Sequence, residues 1–234
     1  MPIIVALDVT GSMGFVPEQI VKNGLPTLMD NIIEAGINDP QVLFCGIGDF
    51  VYDAAPLQVG QFESSADLLD RWLTRVYLEG GGGGNRNESY NLAYLLAARH
   101  TSTDAWEKRG EKGFLFTVGD EPCASAIPRE IIERLTTGSD RRTVSTGDIL
   151  AEARERYNVY HIHVVHDAAS KFEDRKQGWE ELLGSNFVVL QDVEDLSRTV
   201  ASIVIDHTSS PLGDTAPPAG AIAAGTAVDS EWML

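Results

Sequence analysis

Positive charge is what this chain most lacks. Its 234 residues carry 18 Lys and Arg against 35 Asp and Glu, a formal net charge of -17. A field of that sign repels polyanions, which argues against nucleic acid and anionic membranes as partners and favours divalent cations and basic faces. Cysteine is nearly missing as well. Cys45 and Cys123 are the only two, and thiols this sparse are expected to be reduced, which points to the cytoplasm. No apolar run approaches the ~20 residues that span a bilayer. The amino-terminal segment has no basic stretch ahead of an apolar one, and the first strand begins at about Ile3, so a signal peptide is not expected. There is no G-x-G-x-x-G after that strand, no Gly-Lys-Ser/Thr ending to the glycine run at 80–84, and no G-x-S-x-G elbow. The usual nucleotide cradle and serine-nucleophile motifs are therefore absent.

What is present reads as alternating strands and helices. A composition of 43% hydrophobic and 23% charged residues fits a globular protein with ample core, as one large domain or a domain and a tail. Apolar runs of strand length occupy 3–7, 41–50, 112–118, 159–165 and 187–190, with a short edge strand at 57–62. Helical spacing predicts helices over 17–35, 66–78, 90–100, 128–135, 146–157, 171–183 and 193–205, with Pro17 suited to a first turn and Gly36 to a stop. Ser145 or Thr146 is the expected cap of the fifth of these. The alternation predicts an α/β fold over residues 1–205, a doubly wound, mostly parallel sheet with helices on both faces. No internal repeat is visible.

From residue 206 the composition changes to Pro, Ala, Gly, Ser and Thr, as in a flexible linker. Asp206, Asp214, Asp229 and Glu231, with no Lys or Arg beside them, hold four of the net negative charges. The chain ends Asp229-Ser230-Glu231-Trp232-Met233-Leu234, an acidic and hydrophobic peptide. It is either a disordered end or a docking peptide for a partner or a sister chain, through which the protein would self-associate.

Three predicted strands end at acids: Asp8, Asp49 and Asp120. In open parallel sheets the ligand site lies outside those carboxyl ends. After the first strand come Asp8, Thr10 and Ser12, three hard oxygen donors alternating along one tight loop, and a small divalent cation suits such a set. Asp-x-Thr-Gly-Ser directly after a buried first strand resembles the metal-ion-dependent adhesion site (MIDAS) of von Willebrand factor A-type (vWA) domains, where the usual pattern has Ser at the place of Thr10. The resemblance implies a Rossmann-like fold and a second donor after paired glycines, just ahead of a helix, where this chain has Glu88. It implies a third donor after a buried strand, which Asp120 in Phe-Thr-Val-Gly-Asp matches. The implied metal set is Asp8, Thr10, Ser12, Glu88 and Asp120 around Mg²⁺, or Mn²⁺ or Ca²⁺, with Asn85 and Asn87 as further oxygen donors. Some bacterial members carry a Gly-rich loop ending in Glu at the second position. Either such a Glu points away or bonds a metal water, or the site binds metal more for structure than for adhesion. Bacterial cytosolic members imply a non-catalytic, intracellular scaffold or adaptor that binds a protein partner through an acidic residue completing the metal shell. A MoxR-type AAA+ ATPase is one such partner.

Other readings of the same residues stay open. Asp8-x-Thr10 is similar to the opening of haloacid-dehalogenase-type phosphatases, which would make Asp8 the nucleophile of a Mg²⁺-dependent phosphohydrolase. That family has a second acid where this chain has Thr10. His161 and His163 share one strand face and are expected to pack against the sheet, with His166-Asp167 beyond the strand end. Cys123 is expected to be a loop thiol.

Overall fold

The computed structural model describes residues 1–14, 16–20, 22, 27–37, 39–78, 87–136, 142–165, 169–209 and 227–228. In chain order the strands are β1 (Pro2–Asp8), β2 (Gln41–Ile47), β3 (Leu57–Val59), β4 (Thr101–Ser102), β5 (Gly113–Gly119), β6 (Ala126–Ile127), β7 (Val144–Ser145), β8 (Tyr157–Val164), β9 (Phe187–Leu190) and β10 (Ala227–Val228). The helices are α1 (Val16–Gln19), α2 (Leu28–Glu34), α3 (Ala66–Leu73), α4 (Asn91–Arg99), α5 (Asp104–Arg109), α6 (Arg129–Leu135), α7 (Thr146–Arg156), α8 (Ala169–Leu183) and α9 (Leu196–Ser209).

Six strands form one sheet in the order β3-β2-β1-β5-β8-β9. All its pairings are parallel except the short antiparallel edge β3 against β2. Every residue of β1 is buried, which explains its unbroken apolar run: a central parallel strand is covered on both faces. The pleat sends Ile4 and Ala6 into a core with α4, α7 and α8. Ile3, Val5 and Leu7 enter the opposite core with α2, α3 and α9. Each fully buried aliphatic side chain in these layers contributes ~1.5–3 kcal/mol. The fold is a doubly wound, mostly parallel α/β sheet with helices on both faces.

Local signals explain where elements begin and stop. Ser145 caps α7, its hydroxyl accepting the Asp148 N–H. The helix expected over 17–35 is two separate helices among the described residues, α1 and α2. The sequence between them carries Gly24 and Pro26, and a proline inside a helix removes a backbone donor and clashes with the preceding turn. α5 went unread because it has only six residues. Thr103 caps its start, and Gly110 ends it at a φ of 67°, a conformation glycine adopts freely. The last helix runs to Ser209, four residues past the boundary expected from composition. Of the tail, Ala227 and Val228 pair antiparallel with Ser102 and Thr101. Residues 210–226 and the terminal peptide 229–234 lie outside the described residues.

Leu115 is fully buried at the centre of β5. Leu115→Ala should cost about 2–5 kcal/mol in urea unfolding, and a cost near zero would mean that β5 is not a core strand.

Candidate metal centre

The strand order reverses between β1 and β5. The chain leaving β1 packs into one core through α2, and the chain leaving β5 packs into the other through α6 and α7. Their loops part at the carboxyl edge, and in open α/β sheets this switch point is the crevice where ligands bind. Asp8 ends β1 on one side of it, and Asp120 follows β5 on the other.

Asp8 is almost fully buried, at 1% exposure. An ionised carboxylate there is costly unless donors surround it. Its Oδ1 accepts the Thr10 N–H at 2.9 Å and the Thr10 hydroxyl at 2.6 Å. Its Oδ2 accepts the Tyr90 hydroxyl at 2.6 Å. Tyr90 reaches that oxygen because residue 119 is glycine. A Cβ on Gly119 would stand 1.9 Å from the Tyr90 hydroxyl and 2.8 Å from Asp8 Cβ.

The segment ahead of α4 is held against the loop after β5. Glu88 donates its N–H to Pro122 at 2.9 Å and accepts from Ala124 N–H at 2.9 Å, a parallel bridge between Glu88 and Cys123. The same segment meets the loop after β2, where the Phe50 N–H donates to the Ser89 hydroxyl at 2.9 Å. Glu88 is 7% exposed and Asp49 is 2% exposed. One carboxylate oxygen of each, Glu88 Oε2 and Asp49 Oδ2, is buried with no hydrogen-bond partner.

Asp120, also buried, has a cation from the protein itself. Arg175 of α8 places Nη1 3.7 Å from Asp120 Oδ2 and Nη2 2.5 Å from Glu121 Oε1. One turn on, the Trp179 indole donates to the Glu121 carbonyl at 3.2 Å and stacks on His161 with ring centroids 3.6 Å apart. Tyr90 stands edge-on to both rings. The expectation that His161 and His163 pack against the sheet is met: both are buried under Trp179, Phe172 and Phe187. Burial lowers the His161 pKa well below its usual value, and His163 adds to the effect.

The acids press on one another. Burial, assisted by Asp120, pushes the Asp8 pKa up to about 7 against the hydrogen bonds from Thr10 and Tyr90. Burial, then the charges of Asp8, Asp49, Asp53 and Asp120, pushes Glu88 up to about 9. Burial likewise raises the Cys123 thiol to about 12. Cys45 and Cys123 are both free, and a thiol kept protonated is a weak nucleophile.

Asp8, Thr10, Glu88 and Asp120 thus border one crevice. Ser12 lies in the single 3-10 turn after Thr10, but its side chain lies outside the described residues, as do the 80–84 run, Asn85, His166 and Asp167. Asn87 is exposed. Among the described residues, no three His, Cys, Asp or Glu side chains stand as a ready-made metal cluster. Donors already engage both Asp8 oxygens, and an arginine engages Asp120. By donor chemistry the set still fits a hard cation, because it is all oxygen and holds one orphaned, buried carboxylate oxygen, Glu88 Oε2. Sequence reasoning missed Tyr90 and Arg175. Tyr90 was read as the start of a helix over 90–100, and Arg175 only as part of the helix expected over 171–183.

The fold and the crevice define a doubly wound α/β domain with an acidic site at its topological switch point. No family model matches the chain, and no curated protein matches it. Among solved structures it is similar to the pilus adhesin SpaC from Lactobacillus rhamnosus GG in its open conformation, at 12% identity with a TM-score of 0.56. That match covers 88% of this chain and 30% of the adhesin. A second structure of the same adhesin matches at 11% identity with a TM-score of 0.53, covering 88% and 31%. The chain therefore spans less than a third of the adhesin, and at this identity the likeness is one of fold.

Two outcomes follow from the crevice. Gly119→Ala should destabilise by about 1–3 kcal/mol or more, since the added methyl meets a buried hydroxyl and a carboxylate rather than a yielding side chain. Denaturant unfolding measures this, and a neutral result would separate Tyr90 from Asp8. In chelator, melting temperature should fall as pH rises from about 5 towards 9. Both carboxyls have folded pKa values raised above their unfolded ones, so the stability present at low pH is lost as pH climbs through about 7 and about 9. Glu88→Gln should flatten the upper part of that slope.

Proposed function

We propose that the chain is a non-catalytic, metal-dependent protein-interaction module of the von Willebrand factor A type, working as an intracellular scaffold or adaptor. The observation that carries this reading is the buried Glu88 carboxylate, with one oxygen lacking any partner, beside the acids that end three neighbouring strands. A divalent cation neutralises such a group without a proton and supplies the positive centre to which a partner's acidic side chain binds. Asp8, Thr10, Ser12, Glu88 and Asp120 would hold it. Thr10 supports the reading through its orientation: a hydroxyl that donates to Asp8 can offer its oxygen to an ion at the same time. Tyr90 keeps the Asp8 carboxylate in one pose, and Arg175 tempers the charge at Asp120.

SpaC is a pilus adhesin, and a binding rather than a catalytic role accords with that likeness. Against a phosphohydrolase stands Thr10, where that family has a second acid. A cytoplasmic setting is part of the proposal, and so is a MoxR-type AAA+ ATPase as partner. No helix among the described residues is long and apolar enough to cross a membrane.

Thermal unfolding of wild type and Asp8→Ala in chelator, Mg²⁺, Mn²⁺ and Ca²⁺ tests the reading. At ~100 times Kd, binding should add about 2.7 kcal/mol to the native state. The shift should appear in wild type and vanish in the variant. No shift with any ion would sink the metal-dependent reading.

A further inference from the structure

We propose that Asp49 is a further ligand of the cation, so that the site spans the ends of β1, β2 and β5. This rests on the reading of the crevice as a cation site. Asp49 lies two residues beyond β2, outside the donor set that the first-strand motif implies.

Four observations place it there. The residue after Asp49 is tied to the residue after Glu88 by the Phe50 N–H to Ser89 hydroxyl bond at 2.9 Å. The two acids thus sit on joined segments. The Asp49 backbone is held from its own loop, its N–H donating to Asp53 Oδ2 at 2.7 Å and its Oδ1 accepting the Val51 N–H at 2.7 Å. One carboxylate oxygen is therefore committed to the turn, while Oδ2 is buried without a partner. Finally, Asp49 is among the charges that act on Glu88. Two orphaned oxygens, Asp49 Oδ2 and Glu88 Oε2, thus lie on these joined segments, whereas both Asp8 oxygens are already met by hydrogen-bond donors. Buried carboxylate oxygens without donors are the groups that a cation must satisfy.

The loop shape supports this assignment. The backbone at Gly48 runs close to this loop, since a Cβ there would stand 2.9 Å from Asp53 Oδ2 and 3.1 Å from the Ala55 carbonyl. The turn is packed on itself and holds the Asp49 carboxylate in one direction. Such a donor costs little to order when an ion arrives, which is the property that makes a ligand useful.

The test is Mn²⁺ titration of the full chain by calorimetry, on wild type, Glu88→Gln, Asp49→Asn and Asp53→Asn. Asn at 49 retains the acceptor for Val51 and should leave the cation-free melting temperature unchanged or higher. Asp49→Asn should weaken Mn²⁺ binding at least tenfold, as should Glu88→Gln. Asp53→Asn removes a charge from the same loop and should change affinity less than threefold. If Asp53→Asn weakens binding as much as Asp49→Asn, the loop acts through its field alone and Asp49 is no ligand. Wild-type binding with Asp49→Asn within twofold overturns the inference and leaves the cation reading standing. No heat in wild type overturns both. Should Asp49→Asn fail to fold, Asp49→Glu keeps the charge and displaces the oxygens by one methylene. Binding as tight as wild type in that variant would also overturn the assignment.

Discussion

The carboxyl edge of this sheet is arranged around the burial of Asp8. A carboxylate at 1% exposure must be met by donors, by a cation or by a proton, and each choice commits neighbouring residues. Here the donors come from two directions. Thr10 closes the turn after β1 onto Oδ1, and Tyr90 arrives from the start of α4 onto Oδ2. Because Tyr90 passes beside the end of β5, residue 119 has to be glycine. Because Tyr90 is fixed, Glu88 two residues earlier is fixed with it and bridges to the loop after β5. One buried acid therefore holds β1, β5 and α4 in register at the place where a ligand would enter.

The neighbouring acids meet the same physical demand in different ways. Asp120 is met by Arg175, a cation built into α8, and the Trp179–His161 stack fastens that helix to β8 beside it. Glu88 and Asp49 each keep an oxygen that nothing in the described protein meets. The site is consequently graded, from Asp8 that is satisfied by neutral donors, through Asp120 that is paired, to two acids that each leave one oxygen unmet. A proton relieves Glu88 at moderate pH, which is the meaning of its raised pKa. A divalent ion would relieve Glu88 and Asp49 together, and so competes with that proton.

Much of the fold could be read from period and punctuation. The central strands are buried on both sides, so they announce themselves as continuous β-branched and aromatic runs, and their acidic ends mark the functional edge. Single short elements were less legible. α5 has six residues, and the stretch read as one helix over 17–35 carries Gly24 and Pro26, residue types that disfavour a helix interior whatever the apolar spacing around them. At the site, Asp8, Glu88 and Asp120 were legible because each follows a recognisable boundary. Tyr90 and Arg175 were not, because nothing in a helical pattern tells a residue that fills a core from one that places its polar tip on a carboxylate far away in the sequence. Asp49 stood between these cases: its position after a strand was visible, its orphaned oxygen was not.

The charge balance also bears on how a partner would bind. With hydroxyl ligands and few carboxylates, a divalent ion keeps net positive charge and attracts an external acid strongly; each added carboxylate in contact with the ion reduces that attraction. Glu88 occupies a position where the related pattern has a hydroxyl, so an ion here would draw less on a partner's carboxylate. Affinity would then have to come from surface beside the ion as well. The loop that carries Asp49 continues into Val51 and Tyr52, both large, apolar and more than half exposed, at 60% and 57%. Exposed aromatic and aliphatic side chains next to a charged centre are what a protein interface buries at its middle, with the charges setting orientation. In such an arrangement a bound ion would fix where a partner docks, and the apolar rim would set how long it stays.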